Sequence, residues 1–372
     1  MRLTTSEVLA LRLSALLLAG SAERPTTVAG ITEWFGAMQA QDLGNGLWSF
    51  GVRMPGATEV EVTAALERRE ALRTWPMRGT VHFVPPRDAR WMVEILGARP
   101  LAQAASRRPQ IGLEADDAER PVEVLGSALS GGVRLTRAQC IAALADAGIA
   151  VAGQHGYHLL WFASQRGVVC IAPNVGTEQT FALLDDWVSD PHRPDRDEAL
   201  GIIALRFFRS HGPAPRSDFA RWTGLTAADA RAGIAAAGKA LAPVGTEHGE
   251  MIAAAAALDA PRPEVPDLGR PLVLPGFDEY LLGYGDRALI LDQGRLNDVV
   301  PGGNGVFRST LVRRGRVVGI WTRTLRTRTC TIQANTWERV GATDRAGFER
   351  AFGQYGSFRG RTVEVTWDRM AP

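Results

Sequence analysis

The chain has 372 residues, 45% of them apolar and 22% charged, which supports two or three packed units and excludes a disordered or low-complexity protein. Its 42 basic and 40 acidic residues leave a formal charge of +2, so the overall balance does not announce a nucleic-acid partner. The three cysteines, Cys140, Cys170 and Cys330, lie far apart without a CxxC pair, which argues against a disulfide framework or zinc knuckle and fits a reducing cytoplasm.

Residues 8–22 end in small side chains, but Arg12 interrupts the apolar run. They read as an amphipathic first helix rather than a signal peptide. No run of about 18 apolar residues exists, so no transmembrane helix is expected. A first unit, residues 1–95, continues with a helix over 59–69 and strands over 72–77 and 79–84, which meet at Arg78-Gly79. Pro85-Pro86 closes it.

A second unit, residues 118–180, carries helices over 122–130 and 136–144, the latter capped by Thr136 with Ile141 and Leu144 inward. A helix over 157–165 and a strand over 167–172 follow. Helix, helix-turn-helix, then strand is the winged-helix order. The plan recurs in a third unit, residues 195–260. There a helix spans 197–210, Gly212-Pro213 breaks it, and a segment over 217–225 leads to Thr226 capping a recognition-type helix over 227–237. The Pro-rich stretch 260–271 marks a boundary. The last unit, residues 265–372, reads mostly as strand, over 272–274, 305–312, 316–324 and 329–333. The predicted fold class is therefore α+β: tandem winged-helix units followed by a β-rich segment.

Charge becomes informative when it clusters. No acidic residue lies between Asp298 and Glu338, whereas Arg308, Arg313, Arg314, Arg316, Arg323, Arg326 and Arg328 all do. Arg313-Arg314-Gly315-Arg316 reads as a hairpin turn, with glycine supplying the special dihedral. An arginine-lined hairpin suits phosphate contact. Trp321 lies among these arginines, placed either to stack on DNA or to be buried.

Several polar groups stand out. His155 and His158 have helical ligand spacing but no third ligand nearby, so they read as loop or core histidines and no metal is expected. Pro301-Gly302-Gly303-Asn304-Gly305 lacks the lysine and context of a phosphate loop and reads as a surface loop. Asp278-Glu279-Tyr280, followed by Asp286-Arg287, can serve general-base chemistry or anchor arginines, and structural pairing is the commoner fate. Gln39-Ala40-Gln41 follows a helix starting near Thr27. Residues separated by one share a face only in an extended segment. Gly44 and Gly46 imply that the helix ends near here. Gln39 and Gln41 then either point together into a cleft or cap a polar helix end.

Gln39-Ala40-Gln41 resembles the Gln-Φ-Gln motif of the AlkZ-type bacterial DNA glycosylases, and differs at Gln41 from the related YcaQ-type enzymes, which carry Asp there. Trp75-Pro76-Met77-Arg78-Gly79-Thr80-Val81-His82, Ser217-Asp218-Phe219-Ala220-Arg221-Trp222, Gly276-Phe277-Asp278-Glu279-Tyr280-Leu281-Leu282-Gly283-Tyr284 and Pro301-Gly302-Gly303-Asn304-Gly305-Val306-Phe307 look like that family too. The resemblance implies tandem winged helices around a concave DNA-binding surface. It implies excision of bulky N-alkylated purines, including crosslinks left by genotoxic natural products such as azinomycin, in some members as self-resistance. Carried over, Gln39 and Gln41 are the catalytic pair.

The expected protein is a cytoplasmic, monomeric, monofunctional glycosylase without a cofactor, acting on duplex DNA with alkylated purines. Its DNA-binding residues are expected to be Arg78, Arg313, Arg314, Arg316, Arg323, Arg326 and Arg328. An N7-alkylated purine is already cationic and leaves readily, so neutral amides that place a water are sufficient. The competing readings are a winged-helix transcription regulator and a hydrolase using Asp278 or Glu279.

Overall fold

The computed structural model describes residues 2–20, 24–105, 119–259 and 268–370. Most of the Pro-rich boundary, residues 260–267, lies outside the described residues. The fold is α+β, as expected from the sequence.

Threonine caps set several helix starts. Thr4, Thr58 and Thr136 each accept from the third helical amide, while Glu7, Glu61 and Gln139 reach back to the cap backbone. The helix opened by Thr4, Thr5–Ala15, is buried on most sides instead of amphipathic. Its Arg12 is 2% exposed, donates from Nε to Pro213 O at 2.9 Å and lies 4.0 Å over the Tyr284 ring. The helix lies between two cores: Leu9 and Leu13 join the main one, and Val8 and Leu11 pack with Leu3 and Met251.

Three sheets organise the chain. The first runs in the order Met38–Gln39, Thr80–Val84, Leu72–Met77, Val169–Val175, Glu178–Leu183, Leu135–Thr136. Strands from the first two expected units thus share one sheet, joined where Arg73 pairs with Ile171. In the second, Leu272–Leu274, Ser309–Arg313, Arg316–Leu325, Thr329–Thr336 and Thr362–Arg369 lie side by side. The third joins Arg2–Leu3 to Leu241–Thr246 and Gly249–Ala254, so the N-terminus closes on the third unit.

The second and third units show the expected helices, Glu119–Ala128, Arg137–Asp146, His155–Gln165, Arg196–His211, Arg216–Thr223 and Ala227–Ala237. In Arg137–Asp146 the inward pair is Cys140 and Leu144, with Ile141 only partly covered. The C-terminal unit departs from its mostly-strand reading. It contains the eighteen-residue helix Ala342–Arg359, whose Phe348, Phe352, Tyr355 and Phe358 are buried at helical spacing. The strands Leu241–Thr246 and Gly249–Ala254 also go beyond the elements expected from the sequence, because small residues dominate them.

The helices Arg196–His211 and Ala227–Ala237 approach closely through glycine. A Cβ at Gly233 would sit 2.6 Å from the Leu200 carbonyl oxygen, a backbone atom that cannot step aside. Gly233→Val is expected to destabilise the fold by about 1–3 kcal/mol. Gly353, an exposed position in Ala342–Arg359 with open space around it, is the control. There Gly→Ala should stabilise the fold through helix propensity, by about 0.5–1 kcal/mol, and so raise the midpoint of thermal unfolding. Equal midpoints for both variants would contradict the packing account.

Candidate active site

The helix Val28–Phe35 ends earlier than its sequence suggests, at Gly36 with φ 76°. The chain then extends, and Gln39 pairs across from His82 in an antiparallel ladder. Asp42 caps the next helix, Leu43–Gly51, accepting from Asn45 N at 2.7 Å. Gln39-Ala40-Gln41 is therefore a short extended link between two helices. Gly44 and Gly46 belong to the second helix and not to the end of the first. Gly46 is needed for close approach, since a Cβ there would lie 2.9 Å from the Phe83 ring.

Extended geometry brings the two amides together. Gln39 is 7% exposed and Gln41 is exposed. The Gln41 amide N–H donates to Gln39 Oε1 at 2.9 Å, and Val81 N–H donates to Gln41 Oε1 at 3.1 Å. Main-chain donors thus orient both carbonyls. Each keeps one lone pair and a free NH2 group as far as the described residues are concerned.

Behind the pair lies Glu279, fully sealed from water. Its Oε1 accepts from Gln39 N–H at 3.0 Å; its Oε2 accepts from Trp222 Nε1 at 2.9 Å and faces His211 Nε2 at 3.3 Å. Burial by itself would raise this carboxyl. The His211 contact and the Trp222 hydrogen bond outweigh it and hold the group at about 2, so it is ionised. Its neighbour Asp278 makes a two-pronged contact with Arg53, at 2.8 and 3.0 Å, with both side chains completely buried. Both carboxylates are thus used structurally. Phe277, just before them, has φ 61°, an unusual conformation for a bulky residue.

His82 completes the floor. Arg78 and Gly79 form the turn between its strand and Leu72–Met77, both with positive φ. His82 Nδ1–H donates to Thr80 O at 2.9 Å, and Arg78 Nη2 donates to His82 Nε2 at 3.2 Å. Burial, reinforced by the Arg78 charge, pushes the His82 imidazole down to about 3, so it is neutral.

The seven clustered arginines divide between two ends of one strand, Arg316–Leu325, about 30 Å apart at 3.3 Å per residue. At one end Arg313 pairs with Asp344 and Glu338, at 3.1 and 3.2 Å, acids from outside the acid-free window. Arg316 donates to Leu289 O at 3.1 Å, Gly315 O accepts from the Tyr280 hydroxyl, and Arg314 is exposed at φ 49°. This turn is built into the protein body. Arg308 is exposed and donates to Asp298 O at 3.3 Å. At the other end Arg323 Nη1 donates to Asn45 Oδ1 at 2.9 Å, three residues past the Gln segment's capping aspartate, and Arg326 and Arg328 are exposed. Trp321 is 1% exposed and donates to Leu274 O at 3.0 Å, which settles it as a core residue. His155 and His158 lie on His155–Gln165, and Pro301-Gly302-Gly303 is a surface turn with positive φ at both glycines.

A family model for AlkZ-like DNA glycosylases matches residues 32–358. The chain belongs to this family. It is 27% identical over 272 residues to the interstrand DNA cross-link repair glycosylase of Streptomyces sahachiroi, covering 67% of this chain and 70% of that protein. The solved structure of the Streptomyces sahachiroi DNA glycosylase AlkZ shares the fold, with a TM-score of 0.80 at 21% identity over 98% of this chain and 100% of that one. Among the described residues, no helix is long and apolar enough to cross a membrane.

The buried imidazole makes a pH prediction. Unfolded, it takes up a proton near 6.5; folded, it refuses one until about 3. Unfolding therefore binds a proton across that interval. The stability from this group is full above 6.5 and is lost as the pH falls towards 3. In His82→Gln the unfolding free energy should depend less steeply on pH there, by up to about 1.4 kcal/mol per pH unit. Urea titrations across this range that give parallel slopes for the two proteins would refute the assignment.

Proposed function

We propose that this protein is a monofunctional DNA glycosylase that excises bulky N7-alkylated purines from duplex DNA, with Gln39 and Gln41 placing the hydrolytic water. The observation that carries the reading is the anchored amide pair, with oriented carbonyls and an ionised carboxylate behind it. A water held by the free lone pairs is aimed at the sugar C1′ without a strong base. The buried charge of Glu279 favours positive character developing on the sugar as the base leaves. Two amides suffice when the base is already a cation, so the substrates are N7-alkylated purines, with interstrand crosslinks among them. The crosslink repair named for the Streptomyces sahachiroi relative supports that extension.

The work is done by a cytoplasmic monomer with tandem winged helices forming a concave DNA-binding surface, in repair or in self-resistance. Arg323, Arg326 and Arg328 grip phosphates beside the Gln pair, with Arg78 close by. Arg314 and Arg316, on the turn that Arg313 anchors to Asp344 and Glu338, meet the duplex about nine base pairs further along, at 3.4 Å per step.

Duplexes carrying N7-methylguanine or a bulky N7 adduct, incubated with the protein and treated with alkali, should show strand breaks. Gln39→Ala and Gln41→Ala should each lower the single-turnover rate by about 10²-fold or more, with duplex binding within about threefold of the parent. Uracil in the same context should remain uncut. Efficient uracil release, or full activity in both variants, would sink the amide mechanism. Tight binding to one unmodified palindrome without breaks would indicate a regulator instead.

A further inference from the structure

One exposed apolar side chain stands near the Gln segment on a turn that the amide chemistry does not use. Val306, 50% exposed, lies in Pro301-Gly302-Gly303-Asn304-Gly305-Val306-Phe307. Gly302, Gly303 and Gly305 have φ of 59°, 63° and 78°, and a Cβ on any of them would meet nothing within 4 Å. The turn therefore projects from the protein body, with no bulky side chain between its glycines and the valine. It is nevertheless held in one shape. Gly302 N–H donates to Asn297 Oδ1 at 2.8 Å, Val306 N–H to Asn304 Oδ1 at 2.9 Å and Arg308 N–H to Val299 O at 3.0 Å.

The residue after the valine fixes where this tip lies. A Cβ on Gly276 would be 2.6 Å from Phe307 O and 2.8 Å from Asn45 Nδ2. The base of the turn and the start of the helix Leu43–Gly51 thus pack against the same glycine, and Asn45 also accepts from Arg323. The Phe307 ring sits 6.3 Å from that of Phe277 and 5.1 Å from the Arg287 guanidinium. Phe277 leads into Glu279, whose carboxylate holds Gln39 N–H. The valine is therefore rigidly related to Gln39. A lone exposed valine is ordinary on a protein surface. This one is set apart by its flanks, exposed Arg308 on one side and Arg323 on the other, in a stretch of chain without acids. Proteins that open DNA place an apolar side chain in this way, between phosphate contacts that hold the duplex while the side chain parts a base step.

We propose that Val306 is a wedge, a positioning residue that enters between the base pairs next to the lesion and opens that step. The sugar C1′ then reaches the water placed by Gln39 and Gln41. The inference rests on the glycosylase reading. A purine tied to both strands cannot rotate out of the stack, whereas parting the stack beside it exposes its sugar and leaves the base in place.

The full-length protein and duplexes carrying N7-methylguanine test the wedge, with 2-aminopurine beside the lesion to report unstacking. Binding of the parent should raise the 2-aminopurine fluorescence, and Val306→Ser should abolish the rise. Val306→Ser should also slow single-turnover excision by about tenfold or more when the lesion is paired. With the lesion in an unpaired bubble, where no step needs opening, the variant should stay within about threefold of the parent. Val306→Leu should keep both the signal and the paired rate. Melting curves matching the parent show that the variants fold. A fluorescence rise that survives Val306→Ser, or an equal loss of rate on paired and unpaired lesions, overturns the proposal. The two readings fail separately, because the fluorescence needs no cleavage. Strand breaks without a rise remove the wedge and leave the glycosylase standing. A rise that depends on Val306 without strand breaks does the reverse.

Discussion

The carboxylate of Glu279 has no water to solvate it, and an ion in that position is tolerated only when protein donors replace the water completely. The donors come from three separate parts of the chain. Gln39 N–H arrives from the edge of the first sheet, Trp222 Nε1 from the helix Arg216–Thr223, and His211 from the end of Arg196–His211. Satisfying this one group therefore draws the N-terminal and third units onto the segment that starts the C-terminal one. Asp278 repeats the device beside it. Its partner Arg53 also donates to Leu16 O and Ser49 O, at 2.9 and 3.0 Å, which ties down two further turns of backbone. Phe277 holds its strained backbone because its successors are fastened on both sides.

This arrangement explains the division of charge around the site. The ionised groups are inside, and the groups facing outward at the Gln segment are neutral amides. With the cationic substrate proposed above, an exposed carboxylate in their place would be a stronger base, but it would also be stabilised by water and would hold the cation in its ground state. Neutral amides over a sealed anion supply field without that competition. His82 follows the same logic. Held neutral between Arg78 and Thr80, it adds hydrogen bonds to the floor without adding charge. The basic side chains that remain exposed stand at the two ends of a long strand, where a duplex backbone can meet both.

Local structure is legible in the sequence where its causes are local. Thr136 and Thr226 cap helices because a hydroxyl three residues from an amide needs no tertiary partner. Arg78-Gly79 and Arg314-Gly315 turn because both residues of each pair take positive φ. The failures have equally physical causes. Ala342–Arg359 is hard to see in the sequence although Phe348, Phe352 and Tyr355 recur at helical spacing, because glycines and arginines between them dilute the stripe. The extent of the helix before Gln39 is masked in the sequence because Gly44 and Gly46 look like a helix end. They serve a close contact with Phe83 and a neighbouring arginine instead.

The α+β class, the end of a helix near Gln39-Ala40-Gln41 and the arginines gathered before Glu338 are legible along the chain. These are matters of composition, capping and spacing along the chain. Long-range packing is what puts Glu279 behind Gln39, 240 residues away, neutralises Arg313 with Asp344 and carries Arg323 to Asn45. It also makes Trp321 a core residue. Each of these depends on which distant group satisfies a buried charge or fills a packed space. The free energy of burial is set by the assembled neighbours, and no reading of adjacent residues contains them.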